Sequence, residues 1–358
     1  MSRPLSPYEQ FIASAGWPVV TGVGVRSLLD LKLEHTGSSD LAGAFVQLDG
    51  MQGLSGLSVF EMSPDSTTGM VRHLYEEWYL VLSGSGVVEF EASGGHGILR
   101  GQTATFRWKE NSVFAIPLNM RHRLRNTGDR EARIASITNA PLFMDLLGSS
   151  DAIFEAELSF PDREREIYSL PRQGRRGTVD LGDLGKHATF QGAVLEDAVT
   201  LELPDAAGIR GEGFGYVGLD MGGGIYGSHV GEVEERVMSN AHWHMGGAML
   251  ICVAGSGYSL AWPNEAGRRP YESGNGAEVR RQDYVRSGVV AVGVGWYHQH
   301  LNPGQQPMRQ VAFRYNGIGG RTEALFVLSH PTTTIHRQDL DPAIAADYER
   351  ALADSNEG

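Results

Sequence analysis

The chain has 358 residues, 41% of them apolar and 20% charged, with 47 glycines; this predicts about two domains and excludes a disordered chain, a coiled coil and a small stapled scaffold. Against 43 Asp and Glu there are 30 Lys and Arg, a net charge of −13. That balance argues against a nucleic-acid or anionic-membrane surface and asks for a local positive site wherever an anionic ligand binds.

The N-terminus, MSRPLSPYEQF, lacks a basic-then-apolar leader, and no stretch approaches the ~18 apolar residues of a membrane span, so a cytoplasmic, membrane-free protein is expected. Ser6, Pro7, Glu9 and Gly16 have the spacing of a capped short helix: cap, first-turn proline, capping-box glutamate and C-terminal glycine. From about Ala42 to Pro141, and again from about Gln191 to Gly317, short β-branched and aromatic runs are broken by Gly, Asn, Asp and Pro, the texture of sandwiches and barrels. The expected organisation is an N-terminal arm with its helix (1–41), a first β domain (42–145), a linker crossing the surface (146–190), a second β domain (191–320), and a C-terminal strand and helix (321–358). Gly222-Gly223-Gly224 reads as turn material. Cys252, the single cysteine, lies in the apolar run Met249–Val253 and is expected to be a buried thiol. In the last segment Asp341-Pro342 opens a helix whose Ile344, Tyr348 and Leu352 form an apolar stripe for the body of the protein or for a partner.

The two β blocks repeat each other. Val81–Gly86 returns 171 residues later as Cys252–Gly257, and His73 returns as His244 at the same offset; His122 and Asn126 return 176 residues later as His298 and Asn302. One constant offset with one five-residue slip is the mark of a duplicated β domain with a loop insertion.

Histidines carry the chemistry. In a strand, His242 and His244 share a face with alpha carbons about 6.5 Å apart. A barrel can bring His298 and His300, which also share a face, beside them. Converging imidazoles suit iron, copper, zinc or nickel rather than calcium or magnesium. In the first block His73, Glu77 and His122 form a possible second, two-histidine and one-carboxylate set; Glu76-Glu77 also reads as a polar barrel mouth. There is no P-loop, nucleophile elbow, paired-cysteine zinc site or basic stripe with interleaved aromatics. Arg121, Arg123 and Arg125 alternate with His122 and so point away from it, towards surface pairing or an interface.

These residues resemble the cupin superfamily, whose first motif runs His-x-His, Glu, Gly and whose second ends in His and Asn. His242, His244, Gly255, His298 and Asn302 follow the pattern in the second block, with Ala248 at the glutamate position. His73, Glu77, Gly84, Pro117, His122 and Asn126 follow it in the first, with Val71 for the leading histidine and Asn119 for a glycine. The resemblance implies an all-β fold: two double-stranded β-helix (cupin) barrels in one chain, with short N- and C-terminal helices. The neutral triad and the run Trp296-Tyr297-His298-Gln299-His300 are similar to the gentisate and salicylate ring-cleaving dioxygenases. That branch implies Fe(II) at His242, His244 and His298 (Mn, Zn, Ni or Cu being other ions such ligands take), O2 and a small anionic aromatic hydroxy acid as substrates, a role in breaking down aromatic compounds, and a homodimer or higher homo-oligomer.

On that reading His300 takes a phenolic proton or supports His298, and Arg309 or Arg314 clamps a carboxylate or forms an ordinary ion pair. Trp243, Trp296 and Tyr297 wall an aromatic ligand or pack in the core. An oxygen-independent cupin decarboxylase, isomerase or lyase, and a non-catalytic ligand-binding bicupin, remain the competing function classes.

Overall fold

A computed structural model describes residues 3–36, 41–180, 186–222, 226–244, 246–315 and 333–355. The strand expected within 321–332, the end of the second block, and Gly223 and Gly224 lie outside the described residues. The N-terminal helix Pro7–Ala15 has the expected ends: the Ser6 hydroxyl accepts from the Glu9 amide, the Glu9 carboxylate accepts from the Ser6 amide, and Gly16 closes it at φ 72°. No helix among the described residues is long and apolar enough to cross a membrane.

In the first barrel, Leu41–Leu48, Gly56–Met62, Ala132–Thr138, Glu77–Ser83 and Val113–Ile116 form the main sheet, facing a sheet of Arg121–Asn126, Ser85–Glu91 and Thr103–Lys109. The second barrel repeats this with Phe214–Asp220, Tyr226–Val233, Met308–Tyr315, Ala248–Ala254 and Val289–Val292 facing Arg280–Tyr284, Gly257–Pro263, Trp296–Asn302 and Ala241–His242. Strict alternation divides Ala248–Ala254 between two cores. Met249, Ile251 and Val253 join a cluster with Trp78, Leu80, Val113 and Ile134 of the first barrel, while Ala248, Leu250 and Cys252 face Tyr284, Val290 and Met308 of their own. Among the described residues this cluster therefore runs from the interior of the first barrel into the face between the barrels.

Each arm crosses over. Gly24–Val25 pairs with Val289–Val292 of the second barrel, and Val194–Leu195 pairs with Val113–Ile116 of the first. An arginine on the last strand of each barrel holds the arm entering that barrel. Arg133 pairs with Glu61 at 2.9 Å and donates to the carbonyls of Leu29 and Leu31. Arg309 pairs with Glu232 at 2.7 Å and donates to the carbonyls of Ala198, Val199 and Leu201.

The motif asparagines are turn clamps. Asn302 Nδ2 donates to the carbonyls of Val233, Glu234 and Gln306 at 3.1, 3.0 and 2.8 Å, and its Oδ1 accepts from Gly304 N at 2.9 Å; Asn126 makes the same four bonds in the first barrel. Asn302→Ala, leaving buried carbonyls without a donor, is expected to cost about 3 kcal/mol, read as a lower urea midpoint. Asn302→Asp is not expected to rescue it, because a carboxylate cannot donate. Gly84 and Gly255 also occupy equivalent places, at φ 88° and 72°; a Cβ on Gly84 would meet Ala132 Cα at 2.6 Å, so the turn requires glycine twice over.

One expectation changes, and one open alternative is decided. The segment read as a surface linker holds the end of the helix Ala140–Leu147 and two further helices, Ser150–Phe154 and Pro161–Ser169. The last lacks an apolar stripe: Ile167 and Tyr168 join the main apolar cluster, and Glu164 accepts from the amide and hydroxyl of Ser93 at 3.0 and 2.5 Å. The C-terminal helix Pro342–Asp354, capped by Asp341, packs on the protein's own second barrel, burying Ile344 and Tyr348 against Tyr258, Trp262, Tyr297 and Ile335.

Candidate metal centres

The second barrel assembles its histidines from two strands. His242 lies across from His298 in the ladder, and His244 follows two residues on. Ring centroids are 4.0 Å apart for His242 and His298, 4.9 Å for His244 and His298, and 5.8 Å for His242 and His244. One ligand nitrogen from each falls within 4.8 Å of the others. All three are buried. Backbone carbonyls of Asn240 and Trp296 hold the Nδ1 atoms of His242 and His298 at 3.4 and 3.2 Å, which leaves each Nε2 as the lone-pair donor. Nε2 of His242 is buried with no hydrogen-bond partner, an arrangement that fits a metal ligand. Burial foremost, then Arg210 for His242 and His244 for His298, holds both imidazoles well below the usual histidine range, so they are neutral, as ligands must be.

In the first barrel His73, Glu77 and His122 also bring ligand atoms within 4.8 Å. His73 Nε2 is 2.9 Å from Glu77 Oε2, its Nδ1 is 3.0 Å from the Tyr75 carbonyl, and the Tyr75 ring stacks on it at 3.8 Å. Burial works to raise the Glu77 pKa, but His73, His122 and the Ser136 hydroxyl hold it down at about 2. Burial and then His73 lower His122 to about 4. Val71 bridges to His122 as His242 pairs with His298; it occupies the leading-histidine place and is 45% exposed. Above Glu77 opens a cavity of about 530 Å³ lined by Tyr8 and Phe11 of the N-terminal helix and by Trp17, Phe45, Phe60, Val71 and Tyr79.

His300 stands beside the triad, its ring 5.6 Å from that of His298. Its Nδ1 is 2.9 Å from Ser259 Oγ; Ser259 donates to Tyr284 Oη at 3.3 Å and Tyr284 donates to Gln310 Oε1 at 2.7 Å. Since Ser259 has one hydroxyl proton, His300 is the donor at Nδ1 and keeps Nε2 as an acceptor. Burial, then Arg210, lowers its pKa to about 3.

Arg309 does not reach the triad. It shares the parity of Val311 and Phe313, which face the inter-barrel core, and its guanidinium is committed to Glu232 and the arm. Tyr297 and Trp243 also point away from the histidines, into the outer cluster under the C-terminal helix, where Tyr297 stacks on Trp262 at 5.5 Å. Neither walls a ligand at the triad. Trp296 keeps the parity of His298, packs against the inner cluster and carries the Arg280 guanidinium 4.8 Å over its ring. Arg314 shares the inward parity of Met308, Gln310 and Ala312 and is 5% exposed. The arginines flanking His122 pair outside, Arg121 with Glu91 and Arg123 with Glu89.

Sequence reasoning missed four inward residues of the second barrel: Gln310, Tyr216, His229 and Arg210. Strand parity with Arg314 was signal enough for Gln310. Tyr216 lies with its ring 4.8 Å from that of His229, and His229 pairs across from Ala312. Arg210, 4% exposed, ends the four-residue helix Ala207–Arg210, too short for any periodic signal.

Residues 18–146, the first barrel and its arm, match the family model described as Auxin binding protein. Curated relatives include Auxin-binding protein 1 of Arabidopsis thaliana, 29% identical over 119 residues (33% of this chain, 59% of that protein). Auxin-binding protein T85 of Nicotiana tabacum is 32% identical over 109 residues (30% of this chain, 58% of that protein). The chain thus spans less than two thirds of their length. Among solved structures, an oxalate decarboxylase of Lactobacillus farciminis superposes with TM-score 0.52 at 13% identity, covering 82% of this chain and 86% of that one. A mutant oxalate decarboxylase of Bacillus subtilis gives 0.51 at 12%, covering 82% and 77%. At such identities the likeness is one of fold, extending across both barrels.

Proposed function

We propose that this chain, whose two barrels have the cupin-type fold, is a bicupin that acts as a metal-dependent dioxygenase of small anionic, aromatic hydroxy acids at His242, His244 and His298 with Fe(II). One observation carries this reading: the triad is buried, with His242 and His298 held neutral and His242 Nε2 unpartnered, and Ala248 stands where the first barrel has Glu77. A ferrous ion on three neutral ligands keeps its full +2 charge and about three open positions, enough for a chelating hydroxy acid and dioxygen. Around it, His300 Nε2 accepts a hydrogen bond from the substrate's hydroxyl, its ring fixed through Ser259, Tyr284 and Gln310. The buried wall of Leu250, Cys252 and Val292 keeps water from the reacting carbon.

The test is oxygen uptake by protein purified without added metal and then loaded with Fe(II) under argon, on a panel of hydroxybenzoates and aminophenols. Uptake matching substrate loss is expected for at least one compound. Turnover that persists without oxygen would instead assign the chain to cupin decarboxylases or lyases.

A second reading rests on the first barrel's aromatic cavity, which lies within the segment similar to auxin-binding proteins: that barrel holds an aromatic carboxylic acid without transforming it. Quenching of tryptophan fluorescence by indole-3-acetate, lost in a Trp17→Leu variant, is the expected result; quenching that survives the substitution would count against it.

A further inference from the structure

Among the described residues, two hydroxyl protons in the cavity of the first barrel have no acceptor. One belongs to Tyr8, on the helix Pro7–Ala15, which precedes residues 18–146 that match the family model. That helix is fixed in place: the Tyr8 amide donates to Asp145 Oδ1 at 2.9 Å, and Ile12 packs with Phe45, Met144 and Ile153. Its phenol reaches the strands of the barrel. A Cβ on Gly56 would meet Tyr8 Oη at 2.2 Å and Thr138 Oγ1 at 3.2 Å, so the phenol fits only because residue 56 has no side chain. Thr138 lies across the ladder from Gly56 on one side and from Glu77 on the other. The two hydroxyls thus stand over one glycine, on the rung that ends at Glu77. Tyr8 and Thr138 are each 9% exposed and line the cavity. Thr138 Oγ1 accepts from the Ala140 amide at 3.3 Å and keeps its proton free, and the Tyr8 hydroxyl has no hydrogen-bond partner among the described residues.

We infer that Tyr8 and Thr138 form the polar end of the ligand site in this cavity and donate hydrogen bonds to an acyl oxygen of an aromatic acid or its amide, whose ring lies against Phe11, Trp17, Phe45 and Phe60. The assignment rests on the second reading above, that the first barrel holds an aromatic acid, and names the groups that recognise it.

Three points support it. A buried donor without an acceptor is costly and is kept where something else supplies the acceptor. Burial foremost, then Asp145, raises the Tyr8 phenol above its usual range, so it stays protonated and able to donate. And the cavity offers an acyl oxygen no cation: among the described residues its lining includes no Lys or Arg, and its one acid, Glu77, is already bonded to His73 and Ser136. Recognition therefore falls to neutral donors. Neutral donors serve a carboxylate and an amide carbonyl alike, whereas a cation would demand the charge.

The test follows the Trp17-dependent quenching of the full chain with indole-3-acetate, indole-3-acetamide and 3-methylindole, which share a ring and differ in the oxygen. Acid and amide are expected to bind with similar affinity, about 10-fold more tightly than 3-methylindole. Tyr8→Phe keeps the ring and removes one oxygen; it is expected to weaken acid and amide by about 10-fold and to leave 3-methylindole unchanged. Its thermal midpoint is expected to stay at the wild-type value, because the hydroxyl has no partner in the fold to lose. Gly56→Ala, which pushes the phenol aside, is expected to act in the same way, and the double variant Gly56→Ala/Tyr8→Phe to bind no worse than either alone, which separates a displaced phenol from a damaged barrel. Acid and amide affinities indifferent to Tyr8→Phe, or a lowered midpoint in that variant, overturn the inference. Binding of the acid alone, lost in His122→Ala and indifferent to Tyr8→Phe, would keep the second reading and move recognition to His73, Glu77 and His122. Tyr8-dependent binding of the amide without binding of the acid would keep the hydroxyl pair and remove the acid reading. No quenching by any of the three removes both.

Discussion

His298→Ala is expected to remove the metal of the second barrel, lowering the iron content of the loaded protein by about one equivalent per chain and abolishing oxygen uptake. Even outer partners of a ligating histidine are worth about 10- to 100-fold in affinity, and loss of one ligand of three is expected to cost more. The comparison is His122→Ala, which removes a ligand-capable residue from the first barrel, where Val71 already replaces one histidine. Elemental analysis of both variants locates the metal. Retained iron and activity in His298→Ala, with loss of both in His122→Ala, would move the centre to His73, Glu77 and His122.

Trp78→Ala is expected to destabilise both barrels together. Trp78 is 2% exposed and its ring lies 6.1 Å from that of Phe313 of the second barrel, within the core common to both. Truncating a buried tryptophan costs about 3–5 kcal/mol in lost transfer and residual cavity. Because the emptied volume adjoins both barrels, calorimetry is expected to show one transition displaced to lower temperature. Two separate transitions, only one of them displaced, would mean that the shared core does not couple the halves.

Much of this architecture is legible in the residues. The offsets of 171 and 176 residues announce the duplication, and the His-x-His spacing places His242 and His244 on one face because strand alternation leaves no other arrangement. Ser6, Glu9 and Gly16 set the first helix through local hydrogen bonds that sequence spacing encodes. What escapes needs contacts between distant segments. Arg309 and Arg314 differ by five positions and therefore face opposite sides of one strand, but which side is inward depends on register, and register is set by neighbours far along the chain. Tyr297 and Trp243 are ambiguous for the same reason, and the C-terminal helix that covers them resolves it. The helix Pro161–Ser169 has no apolar stripe to betray it, since it is held by Ile167 and by the buried carboxylate of Glu164. Arg210 carries no pattern at all; only the closure of the barrel brings it beside the histidines.

The exchange of arms has a consequence for how such a chain can be divided. Val289–Val292 is bordered on one side by Gly24–Val25, and Val113–Ile116 by Val194–Leu195. Cutting between the barrels would strip each half of the arm that covers the edge strand of its main sheet and expose a row of unpaired amides and carbonyls, a template for joining another chain. The best-fitting filler is the arm left on the other half, whose root is anchored to that half by Arg133 or Arg309. Separately expressed halves are therefore bound to seek each other or to pair with their own kind, and the duplication, once the arms had crossed, could no longer be undone by simple loss of one copy.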